Sequence, residues 1–225
     1  MKKIQTMALV GCAVLCTTGW VNAATVTVDP SATWNGFMNV FELPSNGGGY
    51  VFGSSWGTAD LTATFSGPVL TLGPNSVNDP STFWYQGGGA PGNPGNKNMD
   101  ANMYVEPPTG TLSGQAVTFA GVVLSNTLVS PYTSVAFIKD FAPDFSSFNQ
   151  VTAPLTPGPF LISLNTLPGG RHVQYGFETI GPDVWVTDRG PVGNVQIIAV
   201  GVPEPAALTM ATIAGLCLAA FRRRP

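Results

Sequence analysis

The sequence predicts an all-β protein: a single β-sandwich of the jelly-roll kind, with an N-terminal signal peptide and one C-terminal transmembrane helix. Three observations carry this. Between Ala24 and Val200 no long segment has helical periodicity, whereas short runs rich in Val, Thr, Phe, Tyr and Trp partly alternate as half-buried strands do. Gly and Pro, 27 and 20 residues respectively, recur every few positions and punctuate those runs with turn chemistry. Long apolar runs fall at the chain ends, and Cys12, Cys16 and Cys217 all lie in them.

In chain order, residues 1–23 read as a secretory signal. Lys2 and Lys3 form its positive start, Ala8 to Leu15 its apolar stretch, and Val21-Asn22-Ala23 its small-residue cleavage site, with the cut after Ala23 or Ala24. Thr17, Thr18 and Asn22 interrupt the run before it reaches the ~20 residues of a retained span. Leu9-Val10-Gly11-Cys12 has the form of a lipobox but leaves too short a signal ahead of it.

Residues 24–200 suffice for one core, without a fixed repeat or a linker. The strands expected there are Thr25 to Val28, Phe37 to Leu43, Tyr50 to Phe52, Asp60 to Phe65, Val69 to Leu72, Thr82 to Tyr85, Ala101 to Glu106, Val117 to Ser125, Ser134 to Lys139, Phe160 to Leu164, His172 to Glu178, Val184 to Thr187 and Val195 to Val200. Gln86 to Asn98 reads as a long irregular loop, suited to a surface or binding role.

Residues 201–225 end the chain with Pro203-Glu204-Pro205, an uncharged stretch from 206 to 221 and a basic tail from 222. As a helix that stretch spans roughly 24 Å. Arg222, Arg223 and Arg224 follow it directly and mark the cytoplasmic side.

Charge is sparse and uneven. Charged residues are 9% of the chain and the net charge is −3, yet five of the nine Lys and Arg lie at the two ends. Lys97, Lys139, Arg171 and Arg189 face eleven acids between Asp29 and Asp188, which leaves the interior at −7. A nucleic-acid partner is excluded on that balance. With His172 as its one histidine and no cysteine, the middle also holds no thiol nucleophile, disulfide, Cys zinc site or multi-histidine metal site.

Two motifs are formal matches in the wrong context. Gly53-Ser54-Ser55-Trp56-Gly57 fits G-x-S-x-G, but the alternating segment after it is a strand pattern, so a hairpin turn is expected in place of a nucleophile elbow. Gly87 to Gly92 fits G-x-G-x-x-G, but Pro91 and Pro94 forbid the helix that would meet a pyrophosphate. His172 reads as a structural side chain at a strand start. Eleven acids could supply a glycosidase pair, yet no spacing singles one out.

The tail resembles the PEP-CTERM sorting signal: Val202-Pro203-Glu204-Pro205, an apolar helix rich in Ala, Gly and Leu, then arginines at the very end. The resemblance implies an exosortase-type membrane protease acting at Pro203, Glu204 and Pro205, after delivery by the Sec translocon and signal peptidase. Two prolines around one residue also hold that segment extended just outside the membrane, a form a protease cleft can grip.

The second half, from Val117 onward and closing with His172-Val-Gln-Tyr-Gly-Phe-Glu and then Val184-Trp185-Val186-Thr187-Asp188, loosely resembles the last strands of jelly-roll carbohydrate-binding modules. Such a module implies a polysaccharide partner. Trp34, Trp56, Trp84, Tyr85 and Trp185 are the aromatic residues able to stack on sugar, and Trp84-Tyr85, with Trp56, is the set singled out. Adjacent strand residues face opposite sides, so one of Trp84 and Tyr85 must leave the core. Asp140, Asp144, Asp183 and Asp188 are candidates for a structural calcium ion, and Asp188 matches the last-strand acid of that pattern. No other cofactor is expected.

The expectation is therefore a non-enzymatic exported protein, anchored transiently through its tail and then sorted to the cell surface or exopolysaccharide matrix. The alternatives are a carbohydrate-binding protein that retains extracellular polysaccharide and, less favoured, a polysaccharide hydrolase or lyase.

Overall fold

A computed structural model describes residues 22–199. Over them the chain is all-β, with twelve strands: β1 (Ala23–Thr27), β2 (Asn35–Glu42), β3 (Tyr50–Trp56), β4 (Ala63–Ser66), β5 (Val69–Leu72), β6 (Lys97–Val105), β7 (Ala116–Asn126), β8 (Thr133–Phe141), β9 (Phe148–Pro154), β10 (Gly158–Asn165), β11 (His172–Pro182) and β12 (Val195–Ile198).

The strands form two sheets of six. One runs β3-β2-β6-β11-β8-β9 and is antiparallel throughout. The other is built on β7. β10 pairs along one edge of β7, while parallel β1 takes Ala116–Ala120 and antiparallel β12 takes Val122–Asn126 on the opposite edge, leading on to β5 and β4. β1 begins at Ala23, so the expected signal cleavage falls at the first residues of this strand.

Alternation sorts the side chains between faces. Met38, Val40, Met99, Met103, Ile138, Val173 and Phe177 of the first sheet point inward, against Val117, Phe119, Ile162, Leu70 and Ile197 of the second. Phe119 joins the layers, with ring centroids 5.3 Å from Tyr175 and 5.4 Å from Phe177. Burying each such side chain stabilises the fold by about 1.5–3 kcal/mol relative to leaving it in water. Gly121 leaves room for the Phe160 ring, because a Cβ would stand 2.6 Å from Phe160 Cε1.

Several expected elements are corrected. Thr82 to Tyr85 is a turn: Trp84 N and Tyr85 N both donate to Ser81 O, and Asp79 Oδ1 and Ser81 Oγ accept from Ser81 N and Phe83 N. That capping chemistry outweighs the β-propensity of three successive aromatics. Val184 to Thr187 is not a strand either, since Val184 N bonds Asn75 O and Asp188 N closes a turn onto Trp185 O. Gly53 to Trp56 forms the second half of β3 and is no hairpin turn. The reversal lies after it, where Asp60 N and Leu61 N return to Gly57 O and β4 starts only at Ala63.

β9 was not expected at all. Its Asn149, Gln150 and closing Pro154 do not read as a strand, and it survives because it pairs with β8 alone at the sheet edge.

Residues 1–21 and 200–225 lie outside the described residues, and with them most of the expected signal peptide, the Pro203-Glu204-Pro205 motif, the helix from 206 to 221 and the stop at Arg222, Arg223 and Arg224. Among the described residues no helix is long and apolar enough to cross a membrane.

Candidate functional site

The aromatic residues singled out from sequence do not share a platform. Tyr85 is fully buried, its hydroxyl donating to Val77 O at 2.5 Å and lying 3.2 Å from Val184 O, with Trp185 edge-on at 5.2 Å. Burial and the nearby Asp183 push its phenol far above the ordinary range. Trp84 and Trp56 do come together, both half-buried, in an edge-to-face cluster with Phe52 and Phe83 that packs onto the core. Trp56 Nε1 donates to Ser54 Oγ. Trp34 lies against Phe177 at 6.1 Å.

The four calcium candidates are also dispersed. Asp140 is buried and grips Arg171 and Leu167 N. Asp144 is exposed in a turn, accepting from Ser146, which lowers its pKa. Asp183 is buried beside Val77, and Asp188 accepts from Gly92 N on the surface. Among the described residues no three His, Cys, Asp or Glu gather as a metal site.

What the fold does assemble is a groove across the outward face of the six-stranded sheet that ends in β3 and β9. Alternation turns Phe37 and Asn39 of β2, Asp100, Asn102 and Tyr104 of β6, Gln174 and Glu178 of β11, Lys139 and Phe141 of β8, and Phe148 and Gln150 of β9 to the same side. Register brings them into rows: Asn39 beside Asp100, Asn102 beside Glu178, and Gln174 beside Lys139 beside Gln150. Gly176, between Gln174 and Glu178, packs against the β6 backbone, where a Cβ would run into Met103 O and stand 2.7 Å from Tyr104 Cα. The hollow holds about 500 Å³, and a second of about 460 Å³ adjoins it through Asp100 and runs toward Phe41, Glu42, Gly47 and Gly48.

The floor is a connected polar network. Lys139 Nζ donates to Asn102 Oδ1 at 2.7 Å and to Glu178 Oε2 at 2.9 Å, above the Phe137 ring at 4.2 Å. Asn102 Nδ2 donates to Asp100 Oδ1 at 2.7 Å, and Asn39 Nδ2 to Asp100 Oδ2 at 3.2 Å. Burial and then the Glu178 charge push Asp100 up to about 6, against Lys139 and the two amides that favour its ionised form. At the far end Glu106 receives Gln174 Nε2 at 2.7 Å and lies 2.8 Å from His172 Nδ1.

That end is walled by phenylalanine. Phe141 lies 5.0 Å from Phe148 and 5.7 Å from Phe145, and Phe145 stacks on His172 at 4.3 Å with 28° between the rings. Phe145 is 54% exposed and sits at φ 57°, left-handed backbone that a residue with a Cβ adopts at a cost. Flat apolar faces beside fixed carboxylates and amides are the combination that recognises a hydroxylated ring: the faces stack and the polar groups set orientation.

The sequence singles out none of these groove residues for binding, although Phe141, Phe145 and Phe148 flank a Pro-Asp turn and the floor residues alternate strictly. No protein-family model, curated protein or solved structure matches the chain.

Proposed function

We propose that this protein is an exported, non-enzymatic β-sandwich of the jelly-roll kind that holds extracellular polysaccharide in the groove on the outer face of its β3-β2-β6-β11-β8-β9 sheet. The observation that carries the reading is the join of a phenylalanine wall to a pre-formed polar floor in one open trough. A chain polymer needs a trough of this shape, and the floor hydrogen bonds hold its side chains in place before any ligand arrives.

The sequence of the ends supplies the itinerary. A signal peptide would bring the chain to the Sec translocon and signal peptidase, and the PEP-CTERM-like tail would hold it in the membrane until an exosortase-type protease acts at Pro203-Glu204-Pro205. The product is then placed on the cell surface or in the exopolysaccharide matrix. A calcium ion has no part in this reading.

Affinity electrophoresis of the exported protein in gels cast with polysaccharides, the producing cell's own among them, tests it. Retarded migration in at least one gel, lost when Phe141 and Phe148 are both changed to Ala, is expected. Undisturbed migration in all of them contradicts it.

A further inference from the structure

The groove's charge narrows the polymer that suits it. This rests on the reading of the groove as a polysaccharide site. Among the described residues three of the four cations are matched to carboxylates: Lys97 to Glu42 at 3.1 Å, Lys139 to Glu178 at 2.9 Å and Arg171 to Asp140 at 2.8 Å. Only Arg189 has no carboxylate partner among the described residues, and it lies outside the groove.

Within the trough the one cation and three of the side-chain amides are committed. An ammonium has three protons, and those of Lys139 face Asn102, Glu178 and the Phe137 ring. The side-chain amides of Asn39, Asn102 and Gln174 donate to Asp100 and Glu106. What remains to meet a ligand is the carboxylate oxygens of Asp100 and Glu178, with Glu42 in the adjoining hollow, and two uncharged groups, the Tyr104 hydroxyl and the Gln150 amide; no free cation is among them. Carboxylates accept strongly from hydroxyl groups. They repel a uronate or sulfate in the same trough, where the low-dielectric walls focus the field.

Phe145 gives the trough its apolar contact. Its turn is fixed by Phe145 N donating to Ala142 O at 2.9 Å and by Ser146 N and Oγ on Asp144 Oδ1 at 3.1 and 2.7 Å. Those bonds hold an exposed ring in left-handed backbone, where glycine would sit without strain. We infer that the groove takes a polysaccharide free of acidic groups, its hydroxyls donating to Asp100 and Glu178 and one sugar face resting on Phe145.

The test compares the full exported protein in gels containing dextran, galactomannan or hydroxyethylcellulose with gels containing alginate, all at low ionic strength. Retardation by at least one neutral polymer and none by alginate is expected. Phe145→Gly relieves the backbone but gives up the His172 stack and the Phe141 contact, so it is expected to melt within a few degrees of the wild type, yet to bind the neutral polymer about tenfold more weakly. Weaker binding by a variant that unfolds at the wild-type temperature is not misfolding. Alginate retarding the protein as strongly as any neutral polymer overturns the inference while leaving the groove a polysaccharide site, as does wild-type binding by Phe145→Gly. No retardation by any polymer, neutral or acidic, sinks the underlying reading itself.

Discussion

Asp183 is enclosed to 1% exposure, with Val77 N on its Oδ1 and, among the described residues, no partner on its Oδ2. Asn75 Oδ1 and Ser76 Oγ, on the segment that Val77 and Val184 hold in place, are buried and equally unpartnered. Burial raises the carboxyl to about 7 in spite of the hydrogen bond from Val77 N, which favours its charge. The folded pKa therefore lies above that of the unfolded chain, near 4. The protonated acid favours the fold fully below pH 4, and that contribution is lost as pH rises to about 7. Asp183→Asn, neutral at every pH, is expected to stabilise the protein at pH 8 by on the order of 2–4 kcal/mol and to change little at pH 4. Denaturant unfolding at the two pH values checks it; an equal effect at both would contradict the assignment. Asp100, raised to about 6, carries the same sign over a narrower window. Sequence could place Asp183 near a turn, but not enclose it, because its enclosure comes from Asn75 to Val77, about a hundred residues earlier.

At the scale of the element, β8 shows how one strand serves two faces. Phe141 turns outward to the groove while Asp140, its neighbour, turns inward to Arg171 and Leu167 and fixes the loop that leads into β11. Removing one partner of a buried pair strands the other charge, so Asp140→Ala is expected to cost about 3–5 kcal/mol in denaturant unfolding. A loss under about 1 kcal/mol would mean that the pair is not enclosed in solution. The strands whose residues alternate between Val, Phe, Ile and Thr were legible in the sequence: β5 matches residue for residue, and β7, β8, β10 and β11 within a few residues at their ends. The failures have physical reasons. Aromatic propensity overstated Thr82 to Tyr85, where an Asp-Pro-Ser cap decides the backbone. Polar β9 is a strand only because β8 offers it an edge. The groove was illegible for a related reason: its floor depends on the order β3-β2-β6-β11-β8-β9, which brings residue 100 beside residues 39 and 180. No local pattern encodes that order.

Over the whole molecule, charge separates the domain from its ends. Five of nine basic residues lie within a few positions of the termini, and most of the cations left between them are bound to carboxylates, so the β domain meets its surroundings as an anion. Net negative charge favours solubility and weakens contact with acidic polymers. The sorting proposal belongs to this scale as well. Replacing Pro203, Glu204 and Pro205 by Ala is expected to leave the protein in the membrane with its tail attached, as seen by fractionation and mass of the C-terminal peptide. Unchanged surface delivery and tail removal would make the motif accidental.

On the proposed function, the outer face of the sheet from β3 to β9 holds a sugar polymer. Backbone amide NMR of the protein, titrated with oligosaccharides of the polymer that retards it most, tests this. Shifts concentrated at Asn39, Asp100, Asn102, Lys139, Phe145 and Gln174 are expected. Shifts confined to Trp56, Trp84 and the 86–96 loop, with the groove silent, would contradict it.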